Sequence, residues 1–280
     1  SEVKIYGVGL HGLQAPPNAI YCGNSGTSMR LLSGILAAQK FDTVMTGDAS
    51  LSKRPMERIA KPLRQMGAVI QTTGEKGTPP VSIKGNQPLK AMTYEMPVAS
   101  AQVKSGILLA ALWADGETVV TEPAPTRDHS ERMLRGFGYE VKTEGSTIRI
   151  KGGGKLTATN IDVPADISSA AFFMVGASIA PDADIVLEHV GINPTRVGVI
   201  NILKAMGGDL TLFNEREVGG EPVADIRVRS AKLKGIHINE ADVPLAIDEF
   251  PALFIAAACA EGTTVLTGAE ELRVKESDRI

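Results

Sequence analysis

Leu63-Arg64-Gln65-Met66-Gly67, Leu134-Arg135-Gly136-Phe137-Gly138 and Leu203-Lys204-Ala205-Met206-Gly207 are one short phrase written three times, with its closing glycines 71 and 69 residues apart. Each reads as the end of a helix: apolar periodicity, a basic residue in the last turn, then a glycine able to take the left-handed cap conformation. After each glycine comes a β-like run, Ala68-Val69-Ile70, Tyr139-Glu140-Val141 and Gly208-Asp209-Leu210. A strand that alternates apolar and polar residues follows: Val81-Ser82-Ile83-Lys84, Ile148-Arg149-Ile150-Lys151 and Ile226-Arg227-Val228-Arg229.

Outward from this phrase the pattern continues. Helices start from small or acidic residues at Asn24-Ser25-Gly26-Thr27, Ser100-Ala101-Gln102, Asp166-Ile167-Ser168-Ser169 and Asp248-Glu249-Phe250-Pro251. Each leads into a helix apolar nearly all round, which predicts burial. Strands then follow at Thr43-Val44-Met45, Thr118-Val119-Val120, Asp184-Ile185-Val186-Leu187 and Thr263-Thr264-Val265-Leu266. A basic residue opens each outer helix, at Arg54, Arg127, Arg196 and Arg273. The unit is strand, buried helix, strand, amphipathic helix, strand, strand, about 70 residues long. Helices and strands alternate, so the fold class is α/β (α+β), with helix-backed sheets built from repeated βαβαββ units.

The ends fall out of phase with the repeat. Val3-Lys4-Ile5-Tyr6 matches a strand from the middle of a unit. In the fourth copy the closing glycine would fall beyond Ile280, the last residue. The expectation is a piece of a longer protein, partnered by the missing terminal segments.

Composition narrows the function classes. Of 280 residues 43% are hydrophobic and 22% charged, an ordinary globular balance that excludes general disorder. With 29 basic against 32 acidic residues there is no cationic excess to carry nucleic-acid binding and no polybasic run for a membrane surface. No apolar stretch is long enough to span a bilayer. Two cysteines outside any CxxC, Cys22 and Cys259, fit a reducing compartment, so a cytoplasmic location is expected. The four histidines lack metal-ligand spacing, so no metal is expected. Gly7-Val8-Gly9-Leu10-His11-Gly12 matches a dinucleotide fingerprint, but Pro16 and Pro17 break the helix that would carry the pyrophosphate.

The helix starts carry the chemistry. Asn24-Ser25-Gly26-Thr27-Ser28 offers free amides at a helix N-terminus, which suit an anion or a plain N-cap equally. Pro55 favours the first helical position, placing Arg54 at the start of a helix with Arg58 one turn on. That like-charge pair costs stability unless an anion compensates, and Lys275 with Arg279 repeats it. Asp248 reads as an N-cap or a proton acceptor. Glu276 reads as an ion-pair partner of Arg279 or an acid–base group held ionised between two cations.

These segments, together with Gly47-Asp48 through Lys53-Arg54-Pro55-Met56, Ser100-Ala101-Gln102-Val103-Lys104, Arg127-Asp128-His129-Ser130-Glu131, Asn193-Pro194-Thr195-Arg196 and Glu271 to Arg279, resemble the 5-enolpyruvylshikimate-3-phosphate synthase family over nearly the whole chain. They are similar to its class II branch, known for tolerance of glyphosate; Gly26 stands where some tolerant members carry alanine. The resemblance implies the two-domain enolpyruvyl transferase fold, six repeat units in all, with the crossing near Asp162 to Asp166, a first domain over 1–163 and an incomplete second over 164–280. It implies transfer of the enolpyruvyl group of phosphoenolpyruvate to the 5-hydroxyl of shikimate 3-phosphate with release of phosphate, by a monomer without cofactor. By motif match, Ser100, Ala101, Gln102, Arg127, Asp248 and Lys275 would hold shikimate 3-phosphate. Gly26, Arg54, Gln102 and Arg279 would hold phosphoenolpyruvate. Asp248 would take the 5-hydroxyl proton and Glu276 would exchange the methylene proton. The family's N-terminal lysine segment and C-terminal Asp-His-Arg segment are not among these residues, so the 280-residue chain alone is expected not to turn over. The alternatives are a UDP-N-acetylglucosamine enolpyruvyl transferase, which relies on a loop cysteine, and a non-catalytic substrate-binding fragment.

Overall fold

The computed structural model describes residues 2–274 and 277–280. The chain divides into two compact units, one ending at Thr159 and the other starting at Asn160. The division lies slightly before the crossing expected from the sequence. Asp162 already belongs to the second unit, where its carboxylate lies 3.2 Å from His189 Nε2.

The first unit contains the repeat twice. β1 (Ile20–Tyr21), α1 (Gly26–Ala37), β2 (Thr43–Thr46), α2 (Glu57–Gln65), β3 (Val69–Thr72) and β4 (Val81–Lys84) form the first copy. β5 (Thr93–Glu95), α3 (Ala101–Ala111), β6 (Glu117–Thr121), α4 (His129–Gly136), β7 (Val141–Glu144) and β8 (Thr147–Lys151) form the second. Both sheets have the same order, β1-β2-β4-β3 and β5-β6-β8-β7. In each the first pair is parallel and the others antiparallel. Gly67, Gly138 and Gly207 close their helices at φ of +104°, +76° and +90°, backbone conformations that β-carbon-bearing residues resist.

α1 and α3 run through one apolar core with the sheets around them. They meet glycine to glycine: a Cβ on Gly34 would overlap the Gly106 carbonyl oxygen. That closeness brings the two helix N-termini side by side, and those N-termini carry most of the first unit's candidate residues.

The second unit repeats the plan with fewer strands. α5 (Ile167–Ile179), β9 (Asp184–Gly191), α6 (Gly198–Ala205), β10 (Asp209–Val218) and β11 (Glu221–Arg229) make a sheet of order β10-β11-β9. Ala165 bridges Val190 in parallel, standing where β1 and β5 stand in the first unit. α7 (Phe250–Cys259) packs against α5 over a separate core.

Several expectations are corrected. Val3 to Tyr6 form no strand, and Val3, Ile5 and Tyr6 are exposed. Thr263 to Leu266 make isolated bridging only, at Val265 to His237, because no antiparallel neighbour supports them among the described residues. Arg273 lies in a 3₁₀ turn, Glu270–Val274, rather than opening a long outer helix. α5 and α7 are not buried all round: Phe172 and Phe173 are 66% and 62% exposed and Ile255 55%. Cys259 on α7 is exposed rather than a core residue. Among the described residues no helix is long and apolar enough to cross a membrane.

Candidate functional site

In the first unit the candidate residues gather at the starts of α1 and α3. Ser25 caps α1, its hydroxyl accepting from the Ser28 amide at 3.1 Å, and Ser100 caps α3 by accepting from Val103 at 3.3 Å. Both caps are neutral hydroxyls and neither first turn holds an acidic residue, so neither helix start carries a carboxylate of its own.

Gly26 is buried at the first helical position. A Cβ there would lie 2.7 Å from Arg54 Nη1 and 3.3 Å from Arg30 Nη1, so two guanidiniums converge on the bare face of this residue. Arg30 is 8% exposed; it donates to the Gln102 side-chain oxygen and to the Pro55 carbonyl at 3.0 Å. Gln102 in turn donates to Thr27 Oγ1 at 2.8 Å. Thus Gly26, Arg54 and Gln102, read separately from the sequence, belong to one cluster. Arg30 is the member that sequence reasoning passed over. Its signal was its place one turn past Gly26 on α1, the one charged residue of a helix otherwise made of apolar and small hydroxyl residues.

The local geometry at Arg54 differs from the expectation. Arg54 is extended (φ −84°, ψ 136°), after a 3₁₀ turn over Leu51–Lys53, and α2 begins only at Glu57 with Met56 as its cap. Pro55 is therefore not at the first helical position, and Arg54 and exposed Arg58 do not form a helical pair. The segment is anchored instead by Asp48, which accepts from the amides of Ser50 and Leu51 at 3.0 and 2.8 Å and from Asn24 Nδ2 at 2.9 Å. These contacts, the Leu51 amide foremost, hold the Asp48 carboxyl below its ordinary pKa. Asp48 thereby ties the Arg54 loop to the start of α1.

Ser100, Ala101 and Gln102 are half-buried at the start of α3. Arg127 is half-buried in the link that precedes α4.

In the second unit the helix starts carry carboxylates. Asp166 caps α5 through the Ser168 amide at 3.2 Å. Arg196 donates to Asp166 at 2.9 Å and to Ser168 Oγ at 2.6 Å and lies 4.0 Å from Glu249, which is 2% exposed. Ser168 donates to Glu249. Burial pushes the Asp166 carboxyl up, but Arg196 and the surrounding donors outweigh it and leave the pKa below the ordinary value.

Asp248 is half-buried just before α7, and the residue in the cap position is Glu249, whose side chain makes no cap bond. Arg279 donates through Nη1 to Asp248 at 2.8 Å and to the Ile247 carbonyl at 3.2 Å. The structure thus joins Asp248 and Arg279, assigned from sequence to different substrates. Lys275 and Glu276 lie outside the described residues.

The half-buried Cys22 thiol is pushed up in pKa by desolvation, the opposite of what a reactive thiolate needs.

Comparison with known proteins followed the same lines. A family model described as EPSP synthase (3-phosphoshikimate 1-carboxyvinyltransferase) matches residues 2–280. Proteins named 3-phosphoshikimate 1-carboxyvinyltransferase from Alkalilimnicola ehrlichii and Methylococcus capsulatus are 69% and 68% identical over 279 residues. The alignments cover all of this chain but 62% and 64% of theirs. The solved EPSP synthase from Acinetobacter baumannii superposes with a TM-score of 0.90 at 76% identity, covering 98% of this chain and 62% of that one. The enolpyruvyl transferase NikO from Streptomyces tendae, 16% identical with a TM-score of 0.64, shares the fold over 84% of this chain.

Proposed function

Because the chain belongs to the EPSP synthase family, we propose that it supplies the greater part of a 3-phosphoshikimate 1-carboxyvinyltransferase. The reaction moves the enolpyruvyl group of phosphoenolpyruvate to the 5-hydroxyl of shikimate 3-phosphate and releases phosphate. The chain spans under two thirds of the length of the relatives it matches most fully, so we assign the activity to a protein of their length. We place that protein in the cytoplasm as a monomer acting on two small molecules.

The observation that carries this reading is the convergence of Arg30 and Arg54 on Gly26. Two guanidiniums brought together at a helix N-terminus make a site of concentrated positive potential, which suits a dianionic phosphate. We assign Gly26, Arg54 and Gln102 to phosphoenolpyruvate and Ser100, Ala101, Gln102 and Arg127 to shikimate 3-phosphate. Asp248 accepts the 5-hydroxyl proton, and Glu276 exchanges the methylene proton, on the strength of the motif alone. Both Arg279 Nη1 bonds go to the Asp248 neighbourhood in the structure. We keep Arg279 with phosphoenolpyruvate by motif match. Binding two polyanions in fixed proximity, with cations already in place, supplies most of the acceleration.

Phosphate release tests this. A polypeptide carrying this sequence and extended to the relatives' length is expected to release phosphate from phosphoenolpyruvate only with shikimate 3-phosphate, and not with UDP-N-acetylglucosamine. Release with the nucleotide sugar would overturn the substrate. Binding of both substrates without release would make the site a non-catalytic one. The 280-residue chain alone is expected not to turn over in the same assay.

A further inference from the structure

The most deeply buried charge in the first unit has no part in the chemistry above. Lys104, on α3 one turn after Ser100, is 1% exposed. Its ammonium lies 3.0 Å from Glu122 and 2.7 Å from Glu131, which are 8% and 2% exposed. A buried lysine is not kept for stability: apolar residues of the same volume fill such space as well or better. The ammonium also engages two carboxylates that come from different elements, where a simple stabilising pair needs one.

The bonds of the cluster point to what it does. Glu122 follows β6 and its other carboxylate oxygen accepts from Thr126, the residue before Arg127. Glu131 lies on the first turn of α4, just after Arg127. Ser105, next to Lys104, shares a 2.7 Å hydroxyl–hydroxyl bond with Ser130. The Lys104 amide itself donates to the Ser100 carbonyl at 3.0 Å. Both flanks of Arg127 are therefore fastened to the same turn of α3 that carries Ser100, Ala101 and Gln102.

We propose that Lys104 is a positioning residue: by gripping Glu122 and Glu131 it holds the Thr126–Arg127 link against the start of α3, so that Arg127 and Ser100 face one anion together. This rests on the assignment of those residues to shikimate 3-phosphate. Ligand geometry must be held to within a fraction of an ångström, and a buried three-member ion cluster fixes distance where an exposed loop would not.

Two variants of the polypeptide extended to the relatives' length test it. Thr126→Val keeps side-chain shape and cuts the hydroxyl tether from Glu122 to the Arg127 link, leaving the contacts of Glu131 and Ser130 in place. Lys104→Met with Glu122→Leu and Glu131→Leu removes every buried charge together and leaves none unpaired. Calorimetry with shikimate 3-phosphate is expected to show affinity lowered about tenfold in Thr126→Val at an unchanged melting temperature, the scale of a small misplacement. Hydrogen exchange is expected to speed up over residues 122–131 in both variants while 26–37 stay protected. Parental affinity and parental protection of 122–131 in Thr126→Val would overturn the proposal. If the triple variant does not fold, Thr126→Val still decides. A parental polypeptide of the relatives' length that does not bind shikimate 3-phosphate would sink the substrate assignment instead, and hydrogen exchange would then decide the tether by itself.

Discussion

Gly26 limits how near a guanidinium can come to the first turn of α1. An alanine there would place its Cβ 2.7 Å from Arg54 Nη1, and the clash falls on the far end of a flexible side chain rather than on backbone. The chain can relieve it by swinging Arg54 aside. Gly26→Ala is therefore expected to leave the unfolding midpoint nearly unchanged, alanine being favoured over glycine in a helix by about 0.5–1 kcal/mol. Its cost appears in ligand binding: calorimetry with phosphoenolpyruvate should show weaker affinity, comparable in direction to Arg54→Ala. A midpoint that drops sharply with affinity intact would contradict this. At this scale the sequence was legible where a residue's neighbours are local. Ser25, Gly26 and Gln102 could be picked from helix starts, and Gly67 from its cap position. The partner of Arg54 could not, because Arg30 meets it through tertiary packing. Arg54 is extended and α2 begins only at Glu57, so the helical like-charge pair with Arg58 that singled out Arg54 does not exist.

Between α1 and α3 the crossing depends on Gly34 and Gly106. Gly34→Ala drives a Cβ into a carbonyl oxygen of the opposite backbone, which cannot rotate away, so the helices must part. A destabilisation of about 1–3 kcal/mol is expected in denaturant unfolding, typical of an overpacked core. Weaker anion binding should accompany it, since Arg30 to Gln102 spans the same crossing. α2 offers a different test. Glu57 accepts two bonds from Arg64 at 2.8 and 3.1 Å and one from Thr72 at 2.6 Å, tying helix to β3, and these partners, Arg64 first, lower its pKa from 4.5 to about 2. A depressed carboxylate stabilises the fold above its unfolded pKa and loses that contribution as pH falls from 4.5 towards 2. The pair is partly exposed, so Glu57→Gln is expected to cost about 1 kcal/mol at pH 7 once solvent screening is allowed for. The deficit should vanish near pH 2; one that persists there would mean the loss was packing. Helices and interior strands were readable because 3.6- and 2-residue periods survive in them. Val3 to Tyr6 and Thr263 to Leu266 were misread because alternation says only that a strand is possible, while a strand exists only with a partner to pair with.

Across the molecule the repeat places equivalent helix starts in both units but gives them opposite electrostatic roles. In the first, Ser25 and Ser100 cap with neutral hydroxyls. In the second, Asp166 caps α5, Glu249 begins α7, and Arg196 is engaged by its own carboxylates. The repeat itself could be read from three copies of one phrase, but this division of labour could not, since it depends on which side chains satisfy which arginines. It predicts that the same substitution has different consequences in the two units. Arg54→Ala or Arg127→Ala should weaken substrate binding. Arg196→Ala removes bonds to Asp166 and Ser168 and a cation near the buried Glu249, and should cost about 2 kcal/mol in stability. The pH dependence separates this from a packing loss. Arg196 lowers the Asp166 pKa against the effect of burial, so the stability it lends is present above the unfolded value of 3.8 and is lost as pH falls below it. Urea unfolding of parent and Arg196→Ala should therefore differ most near pH 7 and converge as the pH is lowered through 3.8. A gap that stays constant with pH would mean that Arg196 acts through its methylene stem rather than its charge, and the assignment of the second unit's arginine to its own carboxylates would fail.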